Sequence, residues 1–147
     1  MSKPGAIRDT CGQTLVELAL TLPVLVLLLF GAAEYGRLCY IGVEVTNAAH
    51  AGAIYGSQNR GTASDNLGIT TAANYDGANL TGMSVTSQDL CANLYSDPPA
   101  TCPNSGTAPA IEYVQVNTQV TVASLFHSYG FGGNYTLTGQ AIERVRQ

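Results

Sequence analysis

Between Leu18 and Ala33 the chain carries no charge, and leucine, valine and alanine fill most of the positions. A run of that length and character predicts a membrane-spanning helix, and the helical pattern opens at Thr14, passes Phe30 and continues to about Tyr55. About 40 residues at about 1.5 Å each give a helix of about 60 Å, twice the roughly 30 Å hydrocarbon thickness, so about half of it is expected to project from the bilayer. In that outer half, Ile41, Val45, Ala48, Ala49, Gly52 and Tyr55 recur at three- and four-residue spacing, with Arg37, Glu44 and Asn47 as polar positions. Such an apolar face has to be covered by a sheet of the same chain or by neighbouring helices. Pro23 lies inside the apolar run, where it removes one backbone hydrogen bond and is expected to kink or loosen the helix. Small residues at Gly31, Ala32, Gly36, Gly42, Ala48, Ala49 and Gly52 permit close helix packing.

The pattern then changes. Residues 56–63 are polar and bear glycine, a natural break, after which Ser64 or Asp65 is placed to cap a short second helix through Leu67, Ile69, Ala72, Ala73 and Tyr75, ending near Gly77 or Gly82. Met83 and Val85 alternate with Ser84 and Thr86 and predict a strand toward Cys91. Residues 96–109 hold Pro98, Pro99, Pro103 and Pro109 and read as a loop. From Ile111 to Phe126 the valines at 114, 116, 120 and 122 alternate with Gln115, Asn117, Gln119 and Thr121, the period of a sheet with one dry and one wet face. A glycine-rich turn at 129–134 leads to a returning strand over 135–145. The expected fold class is α+β: a long N-terminal transmembrane and amphipathic helix packed on a small antiparallel sheet, with a short second helix.

Composition narrows the function. The chain has 147 residues, room for an anchor and one modest domain but no second catalytic domain. Charged residues make up 11%, against about 25% in ordinary soluble domains, which fits a secreted or assembled surface protein. The net charge is −4 and the six basic residues are scattered, so no basic face exists to neutralise phosphates and nucleic acid is not an expected partner. Lys3 and Arg8 precede the apolar run, which by the positive-inside rule keeps the N-terminus cytoplasmic and sends the C-terminus across the membrane. No small-residue cleavage pattern follows the apolar core before Glu34 and Arg37, so the segment is expected to be retained. Of four cysteines, Cys91 and Cys102 lie in the polar C-terminal part and are close enough to close a short disulfide loop in an oxidising compartment, with two unpaired thiols as the alternative.

Residues with catalytic potential do not assemble into a motif. His50 and His127 belong to no HExxH or His-x-His pair, Gly130, Gly132 and Gly133 match neither a dinucleotide nor a P-loop pattern, and a GxSxG elbow is absent. Asp65, Asp76, Asp89 and Asp97 lack calcium-loop spacing. The expectation is a non-enzyme without cofactor or metal.

One residue stands out. Glu17 sits at the start of the uncharged run, where insertion scales penalise a carboxylate by roughly 2.5–3.5 kcal/mol at the helix centre. Either it marks the membrane edge and snorkels into head groups, or it pairs with a cation on another molecule. Gly12 followed by Glu17 as the fifth residue after it resembles the leader of type IV pilins and pseudopilins, cut by prepilin peptidase after the glycine. The continuation GQTLVELALTLPVLVLLLFGAAEYGRL resembles the N-terminus of TadE-like proteins, minor pilins of the tight-adherence pilus system, and NAAHAGAIYG and LTGQAIERVR resemble later segments of that family.

The resemblance implies a leader over 1–12 with cleavage between Gly12 and Gln13, a transmembrane segment over 13–33, its amphipathic continuation over 34–56, and an extracytoplasmic pilin-like α+β domain over 57–147. It implies that Glu17 of one subunit neutralises the new α-amino group of its neighbour. The partners it implies are other pilin subunits, the pilus assembly platform, prepilin peptidase and the bacterial inner membrane. The large C-terminal part and Leu18 after Glu17 distinguish the chain from the major pilin of that system. A type II secretion pseudopilin and an uncleaved, membrane-anchored periplasmic binding or assembly module are the alternatives.

Overall fold

The computed structural model describes residues 8–92, 100–101, 111–125 and 133–146. They form two compact units, Met1–Leu38 and Cys39–Gln147. The helix α1, Arg8–Gly56, supplies all of the described first unit, and its residues 39–56 belong to the second. Two further helices follow, α2 (Arg60–Ala63) and α3 (Asn66–Asp76), then four strands: β1 (Ser84–Ala92), β2 (Ala100–Thr101), β3 (Ile111–Ala123) and β4 (Asn134–Arg144). The fold is α+β, as the alternation of patterns predicts.

The strands form one antiparallel sheet in the order β2-β1-β3-β4. Its register follows from which face must be dry. Val114, Val116 and Val120 are buried on one face of β3, with Thr118 in phase between them, while Gln119 and Thr121 on the other face are exposed. Against the dry face lies the stretch of α1 in the second unit, where Val45, Ala48, Ala49 and Ala53 are fully buried and Ile41 and Tyr55 are half-buried. The three- and four-residue spacing therefore does mark the covered face. Ala53, Ala63, Ile69, Val114, Val116 and Val145 meet in one apolar cluster, which joins α1, α2, α3 and the sheet.

Contact between helix and sheet is close because side chains are small where the two meet. A Cβ on Gly139 of β4 would lie 2.6 Å from the Val45 carbonyl oxygen and 2.8 Å from Thr46 Cα, so backbone rests almost directly on backbone. Beside it, the buried Thr118 hydroxyl donates to the Val45 carbonyl at 2.7 Å. A hydroxyl inside the valine row is thus satisfied by a carbonyl of the helix, and the bond fixes α1 along the strand. Gly56 likewise admits Val114, whose Cγ1 lies 2.9 Å from where a Cβ would stand.

Asp65 is the N-cap of α3: its carboxylate accepts the Gly68 N–H at 2.9 Å and the Tyr55 hydroxyl at 2.9 Å. The cap stops one helix from fraying and ties it to the end of another. The Gly68 amide first, and then the Tyr55 hydroxyl, hold the Asp65 carboxyl below the usual aspartate range. A depressed folded pKa means stabilisation that is present above the ordinary aspartate pKa and is lost as pH falls through the folded value. Asp65→Ala is expected to lower the thermal midpoint by about 5 °C at pH 7 and to abolish that part of the acid-side loss, read by circular dichroism between pH 2 and 6. An unchanged midpoint would contradict the capping role.

Two elements differ from the sequence reading. Residues 60–63 form a single helical turn where the pattern suggests only a polar break, because Asn59 and Thr62 make a reciprocal capping box: the Thr62 N–H donates to Asn59 Oδ1 and the Asn59 N–H to Thr62 Oγ1, each at 3.0 Å. Ala100 and Thr101, inside the span read as a loop, pair with Cys91 and Leu90 as the short strand β2. Short edge pairing of this kind leaves no periodicity to read.

Candidate assembly site

The site that the sequence singles out lies in the first unit. Gly12 and Gln13 are exposed residues within α1, and Glu17 stands one helical turn beyond Gln13 on the same side. Thr21, a further turn along, donates its hydroxyl to the Glu17 carbonyl at 2.9 Å and approaches that of Leu18 at 3.3 Å. Bonding back to its own helix satisfies the Thr21 hydroxyl without a water or a neighbouring chain. The Glu17 carboxylate is exposed and has no ion-pair partner among the described residues.

The surrounding surface is apolar on every side. Leu15, Val16, Leu18, Leu20, Leu22, Val24, Leu25, Leu27, Leu28, Leu29 and Phe30 are all more than half exposed. A helix that is hydrophobic all round and uncovered belongs in lipid or in a bundle. By length and composition the helix qualifies as a membrane span, with a mean hydropathy of 2.4 in its most apolar window. The helix runs through Pro23, which leaves the Ala19 carbonyl without its usual intrahelical donor. At the far end of the unit, Arg37 pairs with Glu34 at 3.3 Å, neutralising both charges near the boundary.

Small residues along α1 divide into two classes that the sequence alone treats as one. Gly52 lies against Ile69 and Ala73, and Ala48, Ala49 and Ala53 are buried in the second unit. Gly12, Gly31, Gly36 and Gly42 have open space where a Cβ would stand.

With this geometry in hand, the chain can be compared with known proteins. Residues 12–53 match the family model of the TadE-like protein. This part of the chain is similar to the TadE-like family. No curated protein and no solved structure matches the chain significantly. The TadE-like segment begins at Gly12, contains Glu17 and the whole apolar run, and ends at Ala53, where α1 is seated on the sheet. It associates the chain with the tight-adherence pilus system and its components, and the apolar TadE-like helix is compatible with membrane anchoring.

The other candidate residues fall outside this site. His50 is exposed and faces Glu143 at 3.5 Å, a solvent-side pair. Asp65 is a cap, Asp76 ends α3, and Asp89 sits in β1. Burial first, and the neighbouring Glu112 carboxylate second, push the Asp89 carboxyl up. Among the described residues, no three His, Cys, Asp or Glu side chains gather into a metal-sized cluster. Cys39 is a free, exposed thiol and Cys91 is disulfide-bonded. Cys102, His127, Asp97, the four prolines of 96–109 and most of the glycine-rich turn lie outside the described residues. Thr118 and Gly139, which seat the helix on the sheet, escape the sequence reading; the clue is a threonine in phase with the buried valines.

Proposed function

We propose that the chain is a structural minor pilin or pseudopilin of a tight-adherence pilus and catalyses no reaction. The observation that carries this reading is where the family match starts: Gly12, the residue after which a prepilin leader would be cut, with Glu17 five residues on. Prepilin peptidase removes residues 1–12 and leaves Gln13 with a free α-amino group. Gln13 and Glu17 are one turn apart on α1, so each subunit offers a cation and an anion at neighbouring heights of one helix. Within a subunit the two compete with solvent and head groups. Between staggered subunits they pair, and a carboxylate expensive to keep in an apolar bundle becomes a selector of axial register.

The exposed leucines, valines and Phe30 around Glu17 supply the packing surface, and the open Gly31 and Gly36 allow helices to approach. Before assembly the same surface is held in the inner membrane, with the N-terminus cytoplasmic and the α+β domain outside. There Cys91 and Cys102 close their loop in the oxidising compartment. The alternative, an uncleaved anchored module, requires Glu17 only as a membrane-edge residue. Shearing separates the two readings: the wild-type protein is expected in the sheared pilus fraction as well as in membranes. Complete retention in membranes, with abundant pili released, would contradict incorporation into the fibre.

A further inference from the structure

The sheet has an open side at β4. In the order β2-β1-β3-β4 the strand β4 is outermost, and its register with β3 runs without a break from Tyr113↔Arg144 to Ala123↔Asn134. Two bonds beyond the ends of the ladder lie in the same register: the Val145 N–H donates to the Glu112 carbonyl at 2.8 Å and the Ser124 N–H to the Gly133 carbonyl at 3.1 Å. They fix the alternation. Odd-numbered residues of β4 direct their N–H and C=O groups at β3, and the even-numbered Asn134, Thr136, Thr138, Gln140, Ile142 and Arg144 direct theirs away from the sheet. Among the described residues nothing receives those outward groups.

The opposite edge is treated differently. There β1 is flanked by β2 at Leu90 and Cys91, and the Ser87 hydroxyl donates to Asn66 of α3 at 2.7 Å. Long edge strands are ordinarily blunted by proline, lysine, a bulge or a covering element, because an unpaired backbone row templates further pairing. In β4 there is no proline, lysine or bulge over 11 residues. The edge is neutral from Asn134 to Ile142. Glu143 points to His50 on the α1 side, whereas Arg144 is exposed with no carboxylate in ion-pair range among the described residues.

We propose that β4 receives an extended strand from another protein of the pilus system, uncharged through its centre and carrying a carboxylate opposite Arg144. Main-chain bonds to the outward row supply affinity, and the Arg144 pair sets which end of the donor lies where. A second copy of this chain joined β4 to β4 does not fit. In an antiparallel pair of identical strands the even-numbered outward residues face one another, and among Asn134, Thr136, Thr138, Gln140, Ile142 and Arg144 there is no carboxylate to meet Arg144. The inference rests on the reading of the chain as a membrane-held component of the pilus system.

Amide exchange tests it on the full-length chain, in membranes from cells with the complete pilus apparatus and again after purification in detergent. The Thr136, Thr138, Gln140 and Ile142 amides are expected to exchange at least about tenfold more slowly in the membranes, while the inward Leu137 and Ala141 amides are slow in both. Equal exchange of the outward amides in the two samples overturns the proposal, as does protection that arises on concentrating the purified chain alone. Thr138→Pro removes an outward N–H without touching the β3 ladder, so it is expected to keep the thermal midpoint and abolish the extra protection at Thr136 and Gln140. Thr138→Lys, which leaves the backbone intact and puts a charge at the centre of the edge, is expected to do the same. Protection that survives both changes also overturns it. The state of the N-terminus, read by mass in the same membranes, reports separately on leader cleavage and does not depend on the edge.

Discussion

Glu17→Ala is expected to reduce incorporation into the pilus by about a hundredfold or more, while leaving synthesis, membrane insertion and leader cleavage intact. On the proposed pairing, Glu17 faces the α-amino group of a neighbouring Gln13 in the assembled bundle, and removing one partner of a buried pair leaves the other charge uncompensated at a cost of about 3–5 kcal/mol. At about 1.4 kcal/mol per factor of ten, even the lower end exceeds a hundredfold in the equilibrium between membrane and fibre. Insertion itself becomes easier, because the substitution removes the one carboxylate from the apolar run. Glu17→Asp keeps the charge on a shorter arm and is expected to fall between the two. If Glu17 only marks the membrane edge, all three proteins enter the fibre equally. Quantifying the sheared fraction against the membrane fraction by immunoblot decides, and wild-type incorporation of the alanine variant would sink the charge-pairing mechanism.

The second large effect belongs to the fold. Gly139→Val is expected to destabilise the Cys39–Gln147 unit by about 3–5 kcal/mol, the sum of overpacking at a backbone contact and loss of a buried hydrogen bond. The new side chain would meet the Val45 carbonyl oxygen and Thr46 Cα, neither of which can rotate aside, and the Thr118 hydroxyl at 2.8 Å. To make room, β4 must lift from α1, which breaks the 2.7 Å Thr118 bond to Val45. For a unit of this size the midpoint should fall by about 15 °C or more. Gly36→Val is the control. A Cβ at Gly36 meets nothing, so the midpoint of that variant should match the wild type. Equal melting of Gly139→Val and wild type would show that the helix does not rest on the strand as described.

Much of this architecture can be read from the chain because its signals are long. An uncharged run through Ala33 is a helix under any pairing of the rest, and the valines of β3 alternate for long enough that the period of two is unmistakable. Asp65 and Gly77 bracket α3 because capping chemistry is local, and local chemistry is written in adjacent residues. What the sequence hides is contact between distant parts. That Gly139 lies beneath Val45 depends on the register of β4 against β3 and on where α1 crosses the sheet, and neither leaves a mark near residue 139. The small residues of α1 read as one packing stripe, yet Gly52 and Gly56 serve the chain's own core while Gly31 and Gly36 face open space. For the assembly site the position is reversed. Glu17 is conspicuous in the sequence because a carboxylate in an apolar run violates the pattern, and the single chain adds only its exposure, since a partner on another subunit is not part of one chain.

The central claim is that the chain is a processed pilin, and the mass of its N-terminus tests that most directly. The protein should be recovered from cells with and without prepilin peptidase and its intact mass and N-terminal residue determined. A chain that begins at Gln13 with the peptidase, and retains residues 1–12 without it, is the predicted result. A chain whose N-terminus is the same in both cells, with residues 1–12 still attached, would contradict the account and leave α1 as an anchor alone.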